Sequence, residues 1–461
     1  MQKVVEMTAL IPLHHLMATG RDNAHLVCHN GQNLVDWQVY SNRVVSLAHG
    51  LKLRSEMRWL LISGDVLDFS VQLLALLHAG KQVVIPPNTQ AGTLAQLAGE
   101  FDAIASSDFA LPGTALPALS SLDPQVAAID LYTSGSTGKP KRVRKTLAQF
   151  EAEIEVLEAQ WGRSLGDRAV VATVPHHHIY GLIFRILWPL SAGRLFDVVT
   201  CVHPDLLQER MAEFRQNILV SSPAQLSRLP ELTALSTLLR STGLIFSSGG
   251  PLSIGTASEF HRCIGFDPIE VFGSTETGGI AWRRQCVDAA WEPFPGVAVS
   301  RDNNGAMLLT SPFLTDKSAL STDDGVELLP KGKFNLLGRL DRVVKIEEKR
   351  LSLPEMESLL NAHAWVKAAA ATSLTGSRQR IGVVVELSTD GLRQLESHGR
   401  RHVSQQLKNH LSERFESVLL PKQWRFLEQM PINAQGKLTY ATISALFTSE
   451  ETTKESRHVA S

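Results

Sequence analysis

Leu131-Tyr-Thr-Ser-Gly-Ser-Thr-Gly-Lys-Pro-Lys141 is the stretch on which the reading of this chain turns. It follows Ala127-Ala-Ile129, an apolar run of strand character. Such a loop offers backbone N–H groups, several hydroxyls and two ammonium groups to a single anion. Glycine lets the backbone approach closely and lysine neutralises charge, which is what a polyphosphate requires. The loop is not of the Walker A type. Around Gly138-Lys139 that pattern needs glycine and Ser/Thr where this chain has Thr133 and Pro140. On composition alone the stretch also reads as a solvated linker.

Working outward, short apolar runs of strand length at 59–62, 82–85, 169–174, 195–199, 218–220 and 244–246 alternate with helical patterns at 66–79, 148–164 and 204–214. Asp65 is placed to cap the helix at 66–79 and Gly80 to stop it. Strands alternating with helices predict an α/β protein of layered, largely parallel sheets with flanking helices. Residues 105–125, rich in Ser, Ala, Leu and Pro, read as a loop. After Gly338 the texture changes to a small α+β pattern: strands at 342–347, 366–372, 380–387 and 423–427, helices at 354–364 and 403–415. At 461 residues the chain exceeds what one core usually serves, so at least two domains are expected.

Bulk properties narrow the class. The formal net charge of −1 gives no basis for nucleic-acid binding. No run approaches the length of a membrane span; the richest, 179–190, is interrupted by Gly181, Arg185 and Pro189. Cys28, Cys201, Cys263 and Cys286 lie far apart without metal-ligand spacing, and are expected as free thiols in a reducing compartment. The first residues lack the basic-then-apolar pattern of a secretory leader, so a cytoplasmic enzyme is expected.

Further motifs follow the first loop in a fixed order: Pro175-His-His-His178-Ile-Tyr-Gly181, Ser248-Gly-Gly250-Pro-Leu252, Val271-Phe-Gly-Ser-Thr-Glu-Thr-Gly278, Thr322-Asp-Asp324, Gly338-Arg-Leu-Asp341 and Pro431-Ile-Asn-Ala-Gln-Gly-Lys437. Together they resemble the signatures of the adenylate-forming superfamily, which includes acyl-CoA synthetases, acyl-AMP ligases, luciferases and peptide-synthetase adenylation domains. The resemblance runs over nearly the whole chain. It implies an ATP- and acyl-binding N-terminal domain at 1–338, a hinge at 339–342 and a mobile C-terminal lid at 343–448, leaving a polar tail at 449–461.

The chemistry implied has two steps. A carboxylate attacks the α-phosphate of ATP to give acyl-AMP and pyrophosphate, and a thiol then displaces AMP. The first step joins two anions, so charge must be neutralised and the attack aligned. By resemblance, Thr133, Ser134, Gly135, Ser136, Thr137 and Gly138 hold the β- and γ-phosphates with Lys139 and Lys141 near by. Thr275 donates to the α-phosphate, and Glu276 holds Mg²⁺, a hard cation suited to carboxylate and phosphate oxygens. Gly249, Gly250, Phe272, Gly273 and Ser274 form the adenine side, with the Phe272 ring standing where tyrosine is usual. Asp324 takes the ribose hydroxyls, with Asp323 as the alternative register, and Arg339 takes ribose or phosphate. Lys437 brings a point charge to the reacting carboxylate. His178 and Gly181 border the acyl pocket, and Asp341 marks the hinge.

Plainer readings stand beside these. Ser274 and Thr277 form a poor capping box, Thr322-Asp-Asp324 an acidic surface turn, and His176 and His177 packing residues. Arg144 and Lys145 read as the solvated start of a helix. In one departure from the family pattern, Glu348 in Lys345-Ile-Glu-Glu348-Lys-Arg350 replaces a glycine near the thiol route. Added bulk and negative charge there hint at a carrier-protein thiol as acceptor. The function implied is an ATP- and Mg²⁺-dependent ligase activating an aryl or fatty acid, with CoA or holo acyl carrier protein as acceptor. The alternatives are a ligase restricted to carrier protein and a non-catalytic adenylate-binding sensor. Retention of Lys437, Glu276 and the full loop argues against the sensor.

Overall fold

The computed structural model describes residues 9–111, 116–134, 140–232, 234–316, 318–346, 349–374, 380–431, 438 and 440–448. Two compact units emerge: residues 1–298 with 310–319, and residues 299–309 with 320–461.

The first unit contains two sheets. One runs in the order Ala103–Ile104, Arg58–Leu60, Gln82–Ile85, Ala128–Ser134, Pro140–Thr146, parallel except for the antiparallel last pair. The other has a parallel centre, in the order Ile269–Ser274, Thr242–Ser247, Asn217–Ser221, Ala169–Ala172, Phe196–Thr200 and Leu26–His29. Antiparallel strands flank it: Gly278–Arg284 and Asp288–Pro293 on one side, Leu34–Asp36 on the other. Central strands such as Ala169–Ala172 and Asn217–Ser221 are buried along their whole length, as both-sided coverage demands.

The helices begin where local chemistry dictates. The Asp65 carboxylate accepts from the Asp68 N–H and starts the helix Val66–His78. Thr146 and Gln149 form a reciprocal capping box at the head of Leu147–Leu165. Trp161 of that helix meets Phe246 edge-on at 5.1 Å, and Phe184 and Trp188 complete the aromatic contact.

Gly181, Arg185 and Pro189 interrupt the apolar run at 179–190 but not its helical course. Ile179–Gly181, a π-helical stretch Leu182–Leu187 and Trp188–Ala192 follow one another directly. Arg185 lies inside, fully buried, donating to the carbonyls of Val174 (3.0 Å) and Val198 (2.6 Å) and to Thr200 Oγ1 (2.7 Å). Burial lowers its guanidinium to about 10, so it stays charged at neutral pH. Among the described residues no helix is long and apolar enough to cross a membrane. All four cysteines are free.

The second unit is α+β. Leu320–Leu328 pairs antiparallel with Ala306–Thr310 and Phe334–Arg339. A hairpin, Val343–Ile346 with Lys349–Ser352, leads into the sheet Val366–Leu374, Arg380–Leu387, Gln423–Leu427. Helices Leu353–Asn361 and Thr389–Ser412 supply Met356, Leu360, Val403, Leu407 and Leu411 to a core shared with Val383 and Val385. Thr389–Ser412 begins well before the expected 403 and is broken at Gly399 (φ +77°). The expected hinge is a short 3₁₀ turn, Leu340–Arg342, within this unit.

Candidate functional site

The loop that opened the sequence closes a hairpin. In its two antiparallel strands Thr133 stands opposite Lys141 and Ser134 opposite Pro140. Gly135, Ser136, Thr137, Gly138 and Lys139 lie outside the described residues, as do Glu348 and Lys437.

A second hairpin faces the first. Ile269–Ser274 and Gly278–Arg284 are joined by the turn Thr275-Glu276-Thr277. Its tightness has a sequence cause. A Cβ at Gly273 would fall 2.2 Å from the Gly278 carbonyl oxygen, and Gly278 has φ +67°. The Ser274–Thr277 pair forms, but it ties a hairpin turn rather than a helix end. The Ser274 N–H donates to Thr277 Oγ1 at 2.9 Å and the Thr277 N–H to Ser274 Oγ at 3.2 Å.

Two lysines of Pro140–Thr146 reach this turn. Lys141 Nζ donates to Glu276 Oε1 at 3.0 Å. Lys145 Nζ donates to the Glu276 carbonyl and to the Phe313 carbonyl, each at 2.9 Å. The solvated helix start expected at 144–145 is therefore corrected: these residues are in a strand, and Lys145 is buried. Arg144 is exposed, 3.7 Å from the buried carboxylate of Asp130. Strand alternation puts Lys141, Val143 and Lys145 on one face, and the buried Val143 shows which face it is. That period-two signal was present in the sequence but hidden by the run of positive charge.

Glu153, on the helix that follows, was not singled out by sequence either. Its buried Oε1 accepts from the Gly279 N–H at 2.9 Å. Desolvation raises this carboxyl to about 7, against the pull of Lys145 and of the Gly279 bond. Desolvation likewise lowers Lys145, opposed by Glu153 and Glu276. At Glu276 partial burial pushes upward, but the hydrogen bonds from Lys141, its own backbone and Ser274 outweigh it. The carboxyl is held below its ordinary range. An ionised carboxylate, 36% exposed on a braced turn, fits a hard divalent cation beside phosphate oxygens.

On the adenine side, Ser248 Oγ donates to the Val271 carbonyl at 2.8 Å and pins the start of its loop to the neighbouring strand. Gly249 has φ +92°, a conformation glycine adopts without strain. The loop continues through Gly250. Phe272 lies 5.5 Å from the Trp291 ring.

Of the three histidines, His176 packs as expected. It is buried edge-on to Phe69 at 4.5 Å, its Nε2 is 2.9 Å from the Ser63 carbonyl, and burial drives it down to about 3. His177 is lowered by burial as well. His178 is half-buried at the head of Ile179–Gly181. Gly181 has a steric reason of its own: a Cβ there would lie 2.0 Å from the Pro175 carbonyl oxygen. His176 and His177 also border a cleft of about 260 Å³ with Ile62, Gly64, Phe69 and Pro86.

In the second unit Asp324 and Arg339 are directly opposite in an antiparallel pair. Thr322-Asp-Asp324 is thus strand, not a surface turn. Arg339 pairs with exposed Asp323 at 3.0 Å, while Asp324 is half-buried. Asp341 ends up in the 3₁₀ turn.

A further His–Asp–Cys cluster has another explanation. His261, Asp267 and Cys286 bring ligand atoms within 4.8 Å of one another. The Asp267 carboxylate, however, already takes Arg284 at 3.2 Å and the Cys286 N–H at 2.9 Å, which makes it an anchor for the hairpin turn.

Fold and site together define a layered α/β protein in which a lysine on one hairpin strand meets the carboxylate on the turn of another. A family model described as AMP-binding enzyme matches residues 97–305. The 4-coumarate–CoA ligase of Rhodobacter capsulatus is 27% identical over 307 residues, 66% of this chain and 73% of that one. The anthranilate–CoA ligase of Pseudomonas aeruginosa is 27% identical over 369 residues, 70% of this chain and 68% of that one. The crystal structure of ATP-bound MatB from Rhodopseudomonas palustris shares the fold at TM-score 0.77 and 18% identity, covering 95% of this chain and 98% of that one. These matches support the resemblance to the adenylate-forming, AMP-binding superfamily that the sequence motifs carry.

Proposed function

We propose that this protein is an AMP-forming acid–thiol ligase, which activates a carboxylic acid as acyl-AMP and passes the acyl group to CoA or a holo acyl carrier protein. The observation that carries the reading is the 3.0 Å contact between Lys141, at the base of the Ser/Thr/Gly loop, and Glu276 on the Thr-Glu turn. It brings a cation for phosphate and a carboxylate for Mg²⁺ to one point, as phosphoryl chemistry between anions requires.

In this reading residues 133–138 and Lys141 hold the β- and γ-phosphates. Thr275 donates to the α-phosphate, and Glu276 would hold Mg²⁺, which supplies charge neutralisation on the phosphate oxygens. Phe272 and the Gly249-Gly250 loop border adenine, and Asp324 and Arg339 take the ribose. Lys437 meets the carboxylate as it attacks the α-phosphorus; the bond to pyrophosphate breaks as the acyl–phosphate bond forms. The thiol then attacks the acyl carbonyl and AMP departs. Rotation at Asp341, with 343–448 as the moving lid, exchanges the two half-reactions. His178 and Gly181 border the acid. The relatives named for 4-coumarate and anthranilate support a flat aryl acid as substrate, and Glu348 supports a carrier-protein acceptor.

The test is ATP–pyrophosphate exchange with a panel of aryl, short-, medium- and long-chain acids. Exchange dependent on aryl acids is expected. Absence of exchange with every acid, in protein that binds ATP, would overturn the ligase reading in favour of a sensor.

A further inference from the structure

We infer that Lys145 is a positioning residue for the Glu276 turn: it fixes the main chain of the residue whose side chain Lys141 meets. The inference rests on the reading of Glu276 as the Mg²⁺ ligand.

Lys141 and Lys145 lie on one face of a single strand and address the same residue through different atoms, the carboxylate and the carbonyl. An exposed lysine can exchange its partner for a phosphate. A buried lysine with two carbonyl partners cannot leave without stranding a charge in the interior. The side chain of Lys141 is 63% exposed, whereas Lys145 is 3% exposed. The second carbonyl belongs to Phe313, which Gln149 Nε2 also holds at 2.9 Å. Lys145 therefore ties the turn to a segment that is itself fastened to the helix Leu147–Leu165. Glu153 of that helix takes the Gly279 N–H just past the turn. The peptide carrying Glu276 is thus held at its carbonyl by Lys145, and the strand leaving the turn is held by Glu153. A Cβ at Gly278 would lie 2.6 Å from Glu153 Oε2, so no side chain separates clamp from turn. Preorganising a carboxylate spares the cation the cost of ordering it.

Isothermal titration calorimetry measures ATP affinity over a series of Mg²⁺ concentrations and needs no knowledge of the acid. Lys145→Met keeps the length of the arm and removes its donors. It should shift the Mg²⁺ midpoint upward by about tenfold while leaving metal-free ATP affinity within twofold, the pattern expected when preorganisation alone is lost. Gln149→Met loosens Phe313 without touching Glu276 and should shift the midpoint by less than Lys145→Met does. Should Lys145→Met fold poorly, Lys145→Met/Glu153→Gln removes both buried charges and is expected to show the same upward shift. An unchanged midpoint in Lys145→Met, or in the double variant, overturns the inference. So does an equal shift in Gln149→Met. Glu276→Gln separates this from failure of the site reading: if its Mg²⁺ titration matches the parent protein, Glu276 is not the ligand and the premise itself falls.

Discussion

At the scale of single residues, the sequence distinguishes side chains that meet solvent and ligand better than those that support them. Glu276 stood out because the stretch Val271–Gly278 resembles a signature of the adenylate-forming superfamily. Lys145 did not, because a lysine in a basic run is almost always solvated, and only the burial of Val143 on the same strand face reveals its direction. Lys437 carries the strongest single-residue expectation. Lys437→Ala should cut acid-dependent pyrophosphate exchange by about a hundredfold or more, with ATP affinity changed only a few-fold by calorimetry. Retained exchange would remove Lys437 from the reaction. Glu348→Gly should raise the rate with CoA relative to holo carrier protein. An unchanged ratio in a paired thioester assay would leave no residue-level argument for the acceptor.

At the scale of elements, periodicity located the helices at 66–78 and 147–165 and most parallel strands to within a residue or two, because buried strands and amphipathic helices write their pattern plainly. The antiparallel strands between 278 and 310 went unread: they are short, and their burial is mixed. The strand at 140–146 was mistaken for a helix start because Lys-Arg-Val-Arg-Lys suggests charge before it suggests alternation. The turn between Ile269–Ser274 and Gly278–Arg284 gives the prediction at this scale. Gly273→Ala places a methyl 2.2 Å from a carbonyl oxygen of the partner strand, so the strands must part. A loss of about 2 kcal/mol or more is expected from backbone overlap of this kind, together with weakened Mg·ATP binding. Thermal melting and calorimetry on one preparation would show both, and a melting point equal to the parent's would contradict the geometry.

At the scale of the whole molecule, the sequence suggests a domain boundary near residue 338. The change of texture at Gly338 marks a change of composition, whereas contacts assign 320–339 to the second unit because those strands pair with 306–310. Stability against pH is also a property of this scale. Burial, with Lys52 near by, lowers His78 to about 4, and burial lowers His176 to about 3. Each has a folded value below its unfolded one, so between about pH 6.5 and the folded value the unfolded chain binds more protons. Stability is therefore full above pH 7 and falls as the medium is acidified. For His78 alone the loss between pH 7 and pH 5 is roughly 2 kcal/mol. Melting curves across this range should decline toward acid, and His78→Leu should flatten part of that decline. A parallel decline in the variant would assign it to other groups.

Arg185 has a consequence for how the chain finds this fold. The two terminal nitrogens of its guanidinium find their partners only when the segment after Ala169–Ala172 and the strand Phe196–Thr200 lie in their native register, because Val174, Val198 and Thr200 supply them. A parallel pair slipped by one residue would turn its side chains to the opposite face and leave a bare positive charge in an apolar interior. The residue thus couples the native register to the accommodation of its buried charge. It rewards one alignment and penalises its neighbours, and one of its partners, Val174, lies just before the three histidines.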